Sequence, residues 1–171
     1  MPLLPYRNIM PQLADDVFIA PTASVIGDVH IGSQSNIWFG VTIRGDVHEI
    51  RIGARTNIQD GSVIHVTRGV SGTYIGDGVT IGHMALLHAC RVEDHAFVGM
   101  GAIILDEAVV ETGAMLAAGA MLTPGKRVPS GELWAGRPAT FMRRLTSKDT
   151  DFFPVSADNY VKLSREYLDQ K

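Results

Sequence analysis

The stretch VEDHAFVGMGAIILDEAVVETGAMLAAGAMLTPGKRV, from Val92 to Val128, returns an aliphatic residue at every sixth position: Val92, Val98, Ile104, Val110, Leu116, Leu122 and Val128. Towards the N-terminus one residue is dropped and the phase resumes at Leu87, Ile81 and Ile75. After an interruption it continues as Ile64, Ile58 and Ile52, and after a second as Ile43, Ile37, Ile31, Val25 and Ile19. The residue four places after the aliphatic is often small, as at Ala96, Ala102, Ala108, Ala114 and Ala120. The residue directly after it is often Gly, as at Gly32, Gly53, Gly76, Gly82 and Gly99.

A period of six fits neither a helix nor a long alternating strand. It predicts a short flat strand and a turn, repeated, with the aliphatic inward, the small residue at the corner and Gly supplying the turn dihedrals. Three such faces close a triangular coil, and coils stack as parallel strands about 4.8 Å apart. The expected fold is mainly β, a left-handed parallel β-helix of about six coils over residues 19–130. A lead-in at 1–18 precedes it, and 131–171 form a turn and a short C-terminal α-helix packed on the prism. The extra residues at 44–51 and 65–74 are expected to loop out at coil edges. Ser156 is the expected helix cap, and Tyr160, Leu163, Tyr167 and Leu168 share one apolar face.

Bulk properties narrow the function. The 171 residues suffice for one domain, and with 19% charged residues, a net charge of −3 and a pI near 6.0 there is no basic field for nucleic acid or an anionic membrane. The single Cys90 excludes an internal disulfide and suits a reducing compartment. Residues 1–10 hold Pro2 and Pro5 and no long apolar run, so neither a leader nor a membrane helix is expected, and the protein reads as cytoplasmic.

Counting by coils places Arg44, His65 and His88 in one column, each directly after the middle aliphatic of its coil. His65 and His88 are then neighbours one strand spacing apart, with the character of two metal ligands. His83 lies on a different face, five residues before His88, or roughly 16 Å along an extended chain. Two imidazoles that approach one metal to about 2.0–2.1 Å need Cα atoms within roughly 13 Å. His83 is therefore expected to reach the His65 and His88 of a neighbouring subunit, in a closed ring of three prisms. His30, His48 and His95 have no such partners, and Cys90 reads as buried filler.

The run Ile43-Arg44-Gly45-Asp46, then Asn57-Ile58-Gln59-Asp60-Gly61-Ser62, then His65, Gly82-His83 and His88, resembles the γ-class carbonic anhydrase family. The segment from Ser156 to Val161, followed by Tyr167-Leu168-Asp169-Gln170, is similar to the small bacterial cytosolic branch of that family. Gly136-Arg137-Pro138-Ala139 is shared with hexapeptide acyltransferases. The resemblance implies that His65 and His88 bind the metal from one subunit and His83 from the next. It implies that Arg44 and Asp46 pair at the subunit boundary beside the metal and that Gln59 hydrogen-bonds the metal-bound hydroxide. It implies too that Asn57 lines the pocket and that Tyr160 matches the family's pocket tyrosine. One departure is visible: the loop from Val66 to Tyr74 contains no carboxylate where the family prototype has an acidic, proton-shuttling loop.

Zinc held by three neutral imidazoles keeps an open position and lowers the pKa of its water to about 7. Hydration of carbon dioxide to bicarbonate in a homotrimer is the expected function, with proton removal slow. Iron or cobalt suit the same ligands. Two other readings use the same fold: a catalytically idle metal-holding scaffold, and an acyltransferase with a coenzyme A thioester and one histidine as base.

Overall fold

Parallel pairing between residues one coil apart organises the chain. The computed structural model describes residues 3–170. On the first face, the strands Phe18–Ile19, Asn36–Ile37, Asn57–Ile58, Thr80–Ile81, Phe97–Val98, Met115–Leu116 and Glu132–Ala135 stack in sequence order. The second face carries Val63–His65, Leu86–His88, Ile103–Ile104 and Met121–Leu122, and the third Thr73–Ile75, Arg91–Val92, Val109–Val110 and Arg127–Val128. The registers join like to like, Ile37 with Ile58 and Ile81 with Val98, so the aliphatics form continuous inward columns. Ile37, Ile58, Ile81, Val98 and Leu116 are each 0% exposed. Where Ser replaces Ala at a corner its hydroxyl joins coils: Ser35 Oγ donates to the Gly53 carbonyl at 2.7 Å, and Ser62 Oγ to that of Gly82 at 3.1 Å.

The solenoid has about seven turns, one more than the aliphatic count. The first face gains Glu132–Ala135 beyond Val128, and the lead-in contributes Leu3–Leu4 and Gln12–Leu13, which pair with Ser24–Ile31. The insertion at 44–51 is a bulge within a strand and not a separate loop: residues 46–49 stand opposite Asp28 alone. Thr42–Ile52 is one strand that crosses from the second face to the third beside Ser24–Ile31, and the extra residues are taken up by a register shift opposite Gly27 and Val29. The second insertion does loop out, closed by an antiparallel bridge between Thr67 and Ser71.

The glycines after the aliphatics serve a different purpose from the one expected. Gly53, Gly82 and Gly99 keep ordinary φ, but a Cβ on Gly82 would lie 2.6 Å from Met100 N and one on Gly99 2.3 Å from Ala118 N. They are glycine because the next coil leaves no room for a methyl group. The left-handed turn residue comes later in each corner and is often not glycine, as at Gln34, Met84 and His95.

The C-terminal segment corrects two expectations. The α-helix is long, not short: Ser147–Asp169, 23 residues. It starts at a capping box of Thr146 and Asp149, not at Ser156. Ser156 is buried in mid-helix, 3.1 Å from Thr80 Oγ1. The helix packs on the first face through Phe153 against Phe97, and through Tyr160 and Tyr167 against Trp38. Leu163, expected on the packing stripe, is 39% exposed. Before the helix, Thr140–Arg144 folds back antiparallel on Glu132–Ala135.

These glycine roles make a prediction about stability. Gly99→Ala forces two coils apart and should prevent folding or give the larger loss, although its φ is ordinary. Gly113→Ala has open space and meets only the left-handed penalty of about 1–2 kcal/mol. Chemical denaturation of both variants checks the order, and a reversed order would mean that turn dihedrals, not coil spacing, select these glycines.

Candidate metal centre

The coil register sets His65 directly against His88, as the column count predicts. Their rings lie 5.2 Å apart between centroids, tilted by 52°, and His65 Nδ1 is 3.2 Å from His88 Nε2. The outer nitrogens have anionic partners. His65 Nε2 is 3.0 Å from Asp46 Oδ1, and His88 Nδ1 is 2.7 Å from Asp106 Oδ1. Each carboxylate has its second oxygen occupied, Asp46 by Arg44 and Asp106 by the Thr67 hydroxyl. Burial raises both carboxyls, but for Asp46 the hydrogen bonds from His65 and Arg44, and for Asp106 those from Thr67 and His88, outweigh it and hold both below the usual carboxylate range.

An ionised carboxylate only accepts hydrogen bonds, so the outer ring nitrogens carry the protons. In the neutral imidazoles both inner nitrogens are then acceptors, and their lone pairs face one another. A proton shared between the rings, or a metal ion between them, turns that contact into an attractive one. Two nitrogens at about 2.0–2.1 Å from a tetrahedral ion would sit about 3.3–3.4 Å apart. The observed 3.2 Å fits, and the anchoring carboxylates are the outer partners that metal-ligating histidines ordinarily have.

His83 belongs to another edge, next to the first face. Its Nδ1 is 2.9 Å from Asp60 Oδ2 and its Nε2 3.5 Å from the Tyr160 hydroxyl. Burial and the Asp60 charge push the Tyr160 phenol above its ordinary pKa. Gln59 shares this edge: its Nε2 donates to Asn57 Oδ1 at 2.9 Å, Asn57 Nδ2 donates to Thr80 Oγ1 at 2.9 Å, and Thr80 meets Ser156 of the helix. Asn57 is 0% and Gln59 6% exposed, so this relay fixes the Gln59 amide from within. The site residues named from sequence thus fall into two groups. Arg44, Asp46, His65 and His88 lie together, and Asn57, Gln59, His83 and Tyr160 lie together. Among the described residues no three His, Cys, Asp or Glu side chains of one chain form a group able to hold a metal.

Three contributors escaped the sequence reading: Asp60, Asp106 and Thr67. Asp60 was within reach, because it follows Ile58 as His83 follows Ile81 and the two aliphatics pair. Asp106 and Thr67 meet His88 diagonally across coils, which phase counting does not reveal. A hollow of about 820 Å³ is elsewhere, on the third face by Arg51, Tyr74 and Arg91. It is a furrow beside Gly32, Gly53 and Gly76, so the donor set locates the centre better than volume does. A smaller hollow of about 360 Å³ borders Asp46, His48 and Glu49.

Cys90 is buried, and burial pushes its thiol up to about 12. It packs as a small apolar side chain within the core cluster and is protonated at neutral pH. The native protein should resist alkylation by iodoacetamide at pH 8 and react once unfolded, as mass spectrometry would show. Rapid native labelling would contradict the burial described here.

Comparison with known proteins agrees with this architecture. Residues 10–45 match the family model "Bacterial transferase hexapeptide (six repeats)". A solved structure, a hexapeptide transferase family protein from Anaplasma phagocytophilum, is 52% identical with a TM-score of 0.93, covering 96% of this chain and 97% of that one. Gamma carbonic anhydrase 2, mitochondrial, of Arabidopsis thaliana is 52% identical over 91% of this chain, which spans only 58% of that relative's length. A carbonic anhydrase of Geobacillus kaustophilus is 42% identical over 96% of this chain and 90% of its own. With the repeat, the coil register and these identities in agreement, the chain belongs to the γ-class carbonic anhydrase family of hexapeptide-repeat proteins.

Proposed function

We propose that this protein is a carbonic anhydrase of the γ type, interconverting carbon dioxide and bicarbonate as a homotrimer with a metal ion at each subunit boundary. The observation that carries the reading is the facing pair of acceptor nitrogens on His65 and His88, 3.2 Å apart and each anchored by a carboxylate. His83 of the partner subunit would complete the donor set. Zinc is the proposed ion, and iron or cobalt suit the same nitrogens. When bound, such an ion supplies Lewis acidity that makes water a nucleophile near neutral pH.

The chain's own residues do the rest. Asn57 takes one N–H of Gln59 and so orients its amide, leaving the carbonyl and second N–H for the reacting water and carbon dioxide. Tyr160, half-buried beside His83, stays protonated and walls the pocket. Arg44 holds Asp46 and keeps a cation at the boundary, where bicarbonate leaves. The trimer finds support on the second face. Its outward column of Val63, Leu86, Ile103 and Met121 is apolar, with Val63 40% and Leu86 37% exposed in the single chain. A face that apolar suits contact with another subunit. Among the described residues no helix is long and apolar enough to cross a membrane, and the lone buried cysteine suits the cytoplasm.

A weakly catalytic scaffold is the second reading, favoured by the loop from Val66 to Tyr74 without a carboxylate. Metal analysis with stopped-flow carbon dioxide hydration at several imidazole concentrations separates the two. The expected result is about one metal per subunit and a rate that rises with buffer, because imidazole replaces the missing proton carrier. Bound metal with no hydration at any buffer concentration supports the scaffold, and absence of metal defeats both.

Sharing of ligands predicts complementation. His65→Ala and His83→Ala should each fold and lose every site. A mixed ring of three has one junction in which intact His65 and His88 meet an intact His83, so it should regain about a third of the wild-type metal. Verified mixed trimers holding no more metal than either parent would show that the ligands are not shared.

A further inference from the structure

We infer that Asp106, braced by Thr67, is a positioning residue that selects which nitrogen of His88 is free to bind. This rests on the proposed role of His88 as a metal ligand. A neutral imidazole in water divides between two tautomers. In the protein, Asp106 Oδ1 lies 2.7 Å from His88 Nδ1 and accepts a hydrogen bond from its N–H, so the lone pair is confined to Nε2, the nitrogen that faces His65. His65 is anchored in the opposite sense, through Nε2 on Asp46, which leaves its Nδ1 inward. The two carboxylates together turn two ambiguous rings into a matched pair of acceptors.

Asp106 is itself held. Its Oδ2 accepts the hydroxyl of Thr67, which stands on the insertion between the second and third faces. Thr67 is fixed there by a small closed turn: its N–H donates to Ser71 O at 3.1 Å, and its carbonyl accepts from Val70 N at 3.2 Å. The same loop returns to the pair through Thr73, whose hydroxyl donates to the His65 carbonyl. The loop from Val66 to Tyr74, empty of carboxylates, is thus a brace for the ligand pair. Thr67 and Asp106 are 39 positions apart in sequence and meet across His88 only because coils stack.

Histidine side-chain nitrogen NMR of the metal-free protein at pH 8, together with zinc affinity measured against a competing chelator, tests the assignment. The wild type should show His88 protonated at Nδ1. Asp106→Ala should lose that preference and weaken zinc binding roughly 10–100-fold. Asp106→Asn keeps an acceptor of the same shape and should retain the tautomer with a smaller loss. Thr67→Val should weaken binding less than Asp106→Ala, and Thr67→Ser should restore it. With a side chain 34% exposed, Asp106 is outside the core, and should the alanine variant not fold, the Asn and Val variants carry the test. An unchanged His88 tautomer in Asp106→Ala, or a changed tautomer with unchanged zinc affinity, overturns the inference. A wild type that binds no zinc defeats the metal reading instead, while the tautomer still judges Asp106.

Discussion

Backbone hydrogen bonds between consecutive coils make neighbours of residues about twenty positions apart, and everything chemical in this protein is written in that spacing. Gly53 N bonds Ile75 O, Gly76 N bonds Val92 O, and Gly99 N bonds Leu116 O, so the inward columns persist although the coils differ in length. Because coils are about 4.8 Å apart, a side chain repeated in one column is brought within contact distance of its counterpart. A repulsive or attractive pair therefore needs no loop to assemble it. The ladder places His65 on His88, and flanking side chains need only orient the rings.

That economy explains why the two halves of the candidate centre rest on different supports. The half with His65 and His88 is held by carboxylates that reach in from neighbouring positions, one of them from the long strand Thr42–Ile52. The half with Gln59 and His83 is backed by the helix, through Ser156 on Thr80 and Tyr160 near His83. Disturbing the helix should therefore be felt at one half before the other. The first half takes its support from coil stacking and from the loop that carries Thr67 and Thr73, with no contact from the helix among the hydrogen bonds of its described residues.

Much of this was legible in the sequence, and the rest was hidden for definite reasons. A strict period fixes which residues share a column, so the fold and the His65–His88 pairing followed from counting. The column does not say where side chains turn, so Asp106, which reaches His88 along a diagonal, was invisible. The insertion at 44–51 stays within a strand because its neighbour Ser24–Ile31 also extends past the corner and pairs with both of its ends, a continuity that counting aliphatics does not show. The glycines after the aliphatics were assigned to turn dihedrals, whereas the close approach of the next coil explains them. Ser156 drew attention from Thr146, although Thr146 with Asp149 three residues on is the stronger start signal.

A stack of parallel coils has open ends, each a row of unpaired amides and carbonyls that invites another chain. Here the chain covers much of its own far end. Thr140–Arg144 runs antiparallel along Glu132–Ala135, and the backbone at Gly136 and Ala139 takes both hydrogen-bonding groups of Met121. The reversal breaks the parallel rule that lets solenoids lengthen, and five exposed residues ending in Arg143 and Arg144 present charge where a further coil would dock. The turn that carries the chain towards its helix thus also covers an edge along which a parallel repeat could otherwise be extended by another chain.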